Sequence, residues 1–216
     1  MKFQKNIKRF ATMVIMALAG LLFMPAAMAD GEVVFQQDFS KITSLEDAGW
    51  KSFTGQATEF SLKNGCLRMM FSNAPYKGGN IHQIIPAITS GTLTFEVALD
   101  TNGAQYDHFS LQTNIYNLNL AFKMMGNQKL MRYYDEKWKD VADNVPLGKK
   151  IKIKIVFDNN TKIVQYFIDD MENPVMIDEN VTLVPVDASA PLLLIGNYGL
   201  AAGKLEHKMF SISLSK

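Results

Sequence analysis

Residues 131–170 read MRYYDEKWKDVADNVPLGKKIKIKIVFDNNTKIVQYFIDD. A short strand runs to a tight turn, and Trp138 opens a second strand. A Pro146-Leu-Gly148 break follows, then a long alternating strand, an Asp158-Asn-Asn160 turn and a return strand ending at Ile168-Asp-Asp. Successive hairpins of this kind build antiparallel sheets, and no crossover helix separates the strands as a parallel α/β protein would require. In the long strand Ile151, Ile153, Ile155 and Phe157 point one way and Lys150, Lys152 and Lys154 the other. The lysines predict a solvated outer face that also discourages edge pairing.

The same rhythm extends in both directions. Strands are expected at Val33–Phe39, Gly49–Phe53, Ala57–Leu62, Cys66–Phe71 and Asn80–Ile85. Asn64-Gly65, between the third and fourth of these, is the strongest short hairpin signal in the chain. Gly91–Asp100 alternates, with Leu93, Phe95, Val97 and Leu99 on one face. His108–Ile115, Leu118–Met125 and Lys129–Tyr134 complete the middle. Helix signals are confined to Ser44–Ala48 and a turn near Lys137. About fourteen short strands around one core imply an all-β, two-sheet antiparallel jelly-roll sandwich.

The first 29 residues stand apart. Lys2, Lys5, Lys8 and Arg9 precede an apolar run over Phe10–Met24, and Ala27-Met-Ala29 supplies the small-x-small pattern before Asp30. This predicts a signal peptide over residues 1–29 and a domain over 30–216. The apolar run falls short of the ~20 residues that span a bilayer, so no membrane anchor is expected in the mature chain. An exported protein, periplasmic or extracellular, is implied. Cleavage removes four of the 22 basic residues and none of the 21 acidic ones, taking the net charge from +1 to 18 − 21 = −3. Such a balance, spread along the chain, does not point to nucleic acid or an anionic membrane. The single cysteine, Cys66, has no partner, so burial must hold the fold, and the thiol is expected inside as a small apolar group.

Phe35-Gln-Gln-Asp-Phe39, Gly49-Trp50 and Glu59-Phe-Ser-Leu-Lys-Asn-Gly-Cys-Leu67 resemble the opening of concanavalin A-like, laminin-G-like domains. Tyr134-Asp135, Trp138–Val141, Gly148, Ile151–Asp158 and Tyr166–Asp170 are similar to their middle hairpins. Leu194–Asn197 and Phe210–Leu214 are similar to their last two strands. The resemblance implies a bent sheet whose concave face meets saccharides. It is shared by lectins, carbohydrate-binding modules, glycoside hydrolases and polysaccharide lyases.

The polar strand positions fit such a face. His108, Ser110, Gln112 and Asn114 alternate along one strand, and Asn119, Ala121 and Lys123 along the next. Arg132 and Tyr134 are expected on the polar side of a third, with Trp138 flanking the groove. Amides and guanidinium groups suit paired sugar hydroxyls, and an aromatic ring suits the C–H face of a sugar. The candidate carbohydrate-binding set is therefore His108, Gln112, Asn114, Asn119, Lys123, Arg132, Tyr134 and Trp138.

Catalytic readings find less support. Glu96 and Asp100 lie about four residues, or ~13 Å, apart at strand rise. Paired carboxylates that cleave glycosidic bonds stand ~5–9.5 Å apart. The lyase motifs of this fold are not reproduced, since Ile81-His82-Gln83-Ile84 places His before Gln. His82, His108 and His207 lack ligand spacing, and neither a phosphate loop nor a nucleophile elbow is present. No catalytic residue, metal or cofactor is assigned. The expected partner is a glycan or polysaccharide. A polysaccharide lyase or glycoside hydrolase is the first alternative, and a domain that docks another envelope or extracellular protein the second.

Overall fold

The computed structural model describes residues 31–53, 58–71, 79–86, 88–99, 108–113, 119–123, 128–134, 137–181, 192–197 and 205–216. At 53, 58, 71, 108–113, 119–123, 133, 192–194, 196–197 and 205 it describes the backbone alone. The expected leader and Asn114 lie outside these residues. Among them, no helix is long and apolar enough to cross a membrane.

Strands β1 (Val33–Asp38), β2 (Lys51–Phe53), β3 (Thr58–Lys63), β4 (Cys66–Phe71) and β5 (Gly79–Ile84) come first. β6 (Ser90–Ala98), β7 (His108–Thr113), β8 (Asn119–Lys123), β9 (Lys129–Tyr134) and β10 (Lys137–Ala142) follow. β11 (Lys150–Asp158), β12 (Ile163–Ile168), β13 (Met176–Asp178), β14 (Leu192–Asn197) and β15 (Leu205–Ser215) close the series. An eight-stranded sheet has the order β13-β12-β11-β6-β15-β4-β3, with β1 also paired to β15. A seven-stranded sheet has the order β10-β9-β8-β7-β14-β5-β2. Every pairing is antiparallel. The jelly-roll expectation holds.

Alternation explains why these segments pair as they do. Leu93, Phe95 and Val97 of β6 are all buried, as are Ile151, Ile153, Ile155 and Phe157 of β11 and Ile212 and Leu214 of β15. Ile81 of β5, Ile195 of β14 and Leu130 of β9 come from the seven-stranded sheet into the same cluster. Fully burying one such side chain is worth roughly 1.5–3 kcal/mol, which outweighs the ~1 kcal/mol spread of strand propensity. Trp50 and Phe39 pack together at one end, with ring centroids 5.7 Å apart. Cys66 is buried and its Sγ donates to the Lys63 carbonyl at 3.2 Å, while burial pushes the thiol pKa up.

The turns follow local chemistry. Asn64 and Gly65 both adopt positive φ, +55° and +72°, the two-residue hairpin that matches strand twist. Asp158 holds its turn by accepting from Asn160 N at 2.9 Å and Ser90 Oγ at 2.7 Å. Ser44–Ala48 makes turns and one helical-type bond, Ala48 N to Ser44 O, without becoming a helix. Lys137 itself is in a strand, opening β10 opposite Tyr134.

The lysine row of β11 is solvated only in part. Lys150 pairs with Glu96 at 2.5 Å, and Lys154 lies 3.9 Å from the Phe167 ring centroid while donating to the Met171 carbonyl. The aliphatic stems and the rings make this face partly apolar. Gly91 of β6 is required by close approach: a Cβ there would stand 2.2 Å from the Ser215 carbonyl oxygen and 2.6 Å from Ile88 Cδ1. Gly91→Ala is expected to lower stability by about 1–3 kcal/mol in urea unfolding. An unchanged unfolding midpoint would show that the β6–β15 junction yields freely.

Candidate functional site

The solvent side of the seven-stranded sheet is fixed by what its strands bury. Ile81, Ile195 and Leu130 face the core, so the alternate positions on β5, β14 and β9 face outward. Register then assembles a row across all seven strands. Lys51 opposes His82, His82 opposes Leu194, and Leu194 opposes Gln112. Gln112 opposes Asn119, Asn119 opposes Tyr133, and Tyr133 opposes Trp138. At about 4.8 Å per strand, seven positions extend over ~29 Å.

A second row lies two residues along: Phe53, Asn80, Gly196, Ser110, Ala121, Met131 and Asp140. Its central backbone positions are Gly196, Ser110 and Ala121. A third set, His108, Lys123 and Lys129, follows on the far side.

His108, Gln112, Asn119 and Lys123 therefore share one face, and Trp138 joins them with 42% of its surface exposed. Arg132 and Tyr134 do not. They occupy the opposite side of β9 with Leu130, and Arg132 is only 8% exposed. Its Nε donates to Asp178 Oδ2 at 2.6 Å and its Nη2 to Oδ1 at 3.0 Å. Asp178 belongs to β13 of the other sheet, so this pair ties the two layers together. Tyr134 lies under the same guanidinium, 5.8 Å from its ring centroid, and packs against the core.

The physical reason is that β9 is ambiguous in parity. Lys129, Met131 and Tyr133 make one set, Leu130, Arg132 and Tyr134 the other, and each holds one cation, one apolar chain and one tyrosine. The buried carboxylate of Asp178 settles the choice, and β13, which carries it, has no strand signal strong enough to read. Tyr133, His82 and Asn80 were missed as members of the outward face. Tyr133 stands opposite Trp138 in the β9–β10 register.

Electrostatics distinguish the two sides. Lys139 Nζ, at 2.9 Å, is a second cation on Asp178 Oδ1. Burial raises the Asp178 pKa, but hydrogen bonds from Arg132 and Lys139, with their charges, leave it below the ordinary 3.8. The Tyr166 phenol, fully buried nearby, is pushed up by burial and by Asp178. On the outward face, burial lowers the His82 pKa, Lys51 lowers it further, and a hydrogen bond to the Lys51 backbone opposes them. Lys129 engages both Asp140 and Asp143, and the hydrogen bond to Asp140 foremost holds its ammonium above the usual range.

Among the outward strand positions of this sheet, Asp140 is the one acid, and Lys129 occupies it. Glu96 faces away on the eight-stranded sheet, bound to Lys150. Asp100, Asp135 and Glu136 fall outside the described residues. Among the described residues, the outward strand positions of this sheet hold no second carboxylate beside Asp140.

No family model and no curated protein sequence matches the chain. Solved structures match its fold. A sialidase superposes with a TM-score of 0.66 at 13% identity over 87% of this chain, which spans 19% of that protein. SCLam, an endo-β-1,3(4)-glucanase of family GH16, gives 0.63 at 9% identity, covering 87% of this chain and 92% of that one. The fold is the concanavalin A-like jelly roll. The carbohydrate recognition domain of Emp46p in its potassium-bound form shares it at a TM-score of 0.59 and 9% identity, covering 87% and 97% of the two chains.

Removing one member of the inter-sheet pair leaves a charge in the core. Asp178→Ala is expected to cost about 3–5 kcal/mol in urea unfolding, whereas Arg132→Met with Asp178→Leu recovers most of it. The depressed Asp178 pKa also sets a pH dependence. Its contribution is complete above the unfolded value of 3.8 and is lost as pH falls through the lower folded value. Acid titrations of wild type and the double variant, followed by near-UV circular dichroism, should diverge below about pH 4; parallel curves would refute this.

Proposed function

We propose that the chain is an exported carbohydrate-binding module that seats a glycan across the outward face of its seven-stranded sheet. The observation that carries this reading is the row Gln112, Asn119, Tyr133 and Trp138, in register on four consecutive strands. Two amides supply fork-like donors and acceptors for neighbouring hydroxyls, and two aromatic positions supply stacking surface for the apolar face of a sugar ring. Structural likeness to a glucanase and to a carbohydrate recognition domain supports a saccharide as the ligand.

Binding is preferred over hydrolysis because, among the described residues, the outward strand positions hold a single acid, already ion-paired, where hydrolysis by paired carboxylates needs two. Of the expected set, His108, Gln112, Asn119, Lys123 and Trp138 remain in the proposal, Tyr133 replaces Tyr134, and Arg132 leaves it for the core.

A polysaccharide panel tests this. Trp138→Ala, Tyr133→Ala and Gln112→Ala are each expected to weaken binding about tenfold, equivalent to ~1.4 kcal/mol. Tyr134→Phe should leave affinity unchanged. Affinity that survives all three outward substitutions would remove the row from the site. Product absorbance from an unsaturated uronate during the same incubation would instead reassign the face to a lyase.

A further inference from the structure

The ion cluster between the sheets has a buried neighbour that it does not engage. Tyr166 of β12 is fully buried, and its hydroxyl has no hydrogen-bond partner in the chain. Val164 opposes Asp178 and Tyr166 opposes Met176, so Tyr166 and Asp178 are diagonal neighbours on the inward face of adjacent strands. Such a diagonal spans about 7–8 Å, which an aromatic side chain can reach across. Burial and the Asp178 charge hold the phenol protonated, so its oxygen is both a donor and an acceptor. Leaving that group unpaired in a core is costly, and the large majority of buried side-chain polar atoms are paired.

The cluster itself has hydrogen-bonding capacity to spare. The Arg132 and Asp178 side chains are only 9% and 6% exposed. Arg132 gives two bonds to Asp178, whereas a guanidinium has five N–H groups. Asp178 accepts three bonds, two from Arg132 and one from Lys139, whereas a carboxylate has about four lone-pair sites. Spare donors and a spare acceptor site therefore lie close to a hydroxyl that needs both.

We infer that one neutral hydroxylic molecule, a water, is bound between the Tyr166 hydroxyl and the Arg132–Asp178 pair as a structural ligand of the sandwich. A water donates to the carboxylate and accepts from the hydroxyl or the guanidinium, which gives it the two to four polar partners that a buried water requires. An anion meets the donors alone and is repelled by Asp178, and a cation is repelled by Arg132 and Lys139. The charges around the site thus select a neutral ligand over an ion. The ligand extends the inter-sheet pair to β12, so three strands drawn from both sheets share one polar network.

Urea unfolding of the full chain, followed by near-UV circular dichroism, tests the inference. Tyr166→Phe keeps the ring and removes the hydroxyl. In the wild-type background it is expected to lower the unfolding midpoint, because a hydrogen bond to the water is lost. In the Arg132→Met/Asp178→Leu background the same substitution should leave the midpoint unchanged or raise it, since the water has lost its other partners there. A midpoint that Tyr166→Phe leaves unchanged or raises in the wild type overturns the inference. An equal loss in both backgrounds also overturns it, because the hydroxyl then acts without the ion cluster. At constant ionic strength, exchanging fluoride for chloride should not alter the difference between wild type and Tyr166→Phe; a difference that grows with chloride overturns the water in favour of an anion. A high-resolution crystal structure of the wild type should show one density peak within about 3.2 Å of Tyr166 Oη and of a polar atom of Arg132 or Asp178. Absence of that peak overturns the inference even where the double variant fails to fold.

Discussion

Pleat parity governs this molecule: a strand that buries Ile81 or Ile195 must present His82 or Leu194 to the other side. Once the inward set of each strand is chosen by hydrophobic burial, the outward set has no freedom left. Hydrogen-bonded register then carries the choice sideways, from β2 to β10, so that residues remote in sequence become neighbours in a row. Lys51 and Trp138 end up on one line although 87 positions separate their numbers. The candidate site is in this sense a by-product of how the core is filled.

Where alternation is clean, the fold is legible from residues alone. The β6 and β11 faces were readable because Leu, Phe, Val and Ile alternate with Thr, Glu and Lys, and burial follows that pattern. The Asn64-Gly65 hairpin was readable because few residue pairs tolerate two positive φ values in succession. β9 was not, since both of its faces carry the same mixture and the deciding partner, Asp178, lies 46 residues downstream. His207 is a second case: in register with Met69, it is fully buried. Long-range partners of buried polar groups are what a single sequence conceals, because no local propensity encodes them.

The Arg132–Asp178–Lys139 cluster shows what such a partner costs and contributes. Bringing an arginine and an aspartate out of water carries a desolvation penalty of several kcal/mol per ion, recovered through two short hydrogen bonds and a second cation. Well-packed apolar replacements of such pairs are often nearly neutral. What the ions add is discrimination, because only one parity of β9 brings Arg132 to a carboxylate, and the other would turn Leu130 outward with it and leave Asp178 without its guanidinium. The pair therefore fixes which backbone positions of β9 face the core.

β15 is the last strand in chain order yet lies inside the eight-stranded sheet, between β6 and β4 and bonded to β1 as well. Until Leu205–Ser215 arrives, β6 and β4 each lack a neighbour, and the greasy sides of Leu67, Val97 and Phe95 have no lid along that seam. The β6–β4 seam is therefore completed only by pairings distant in sequence, the class of contact that is entropically slow to form.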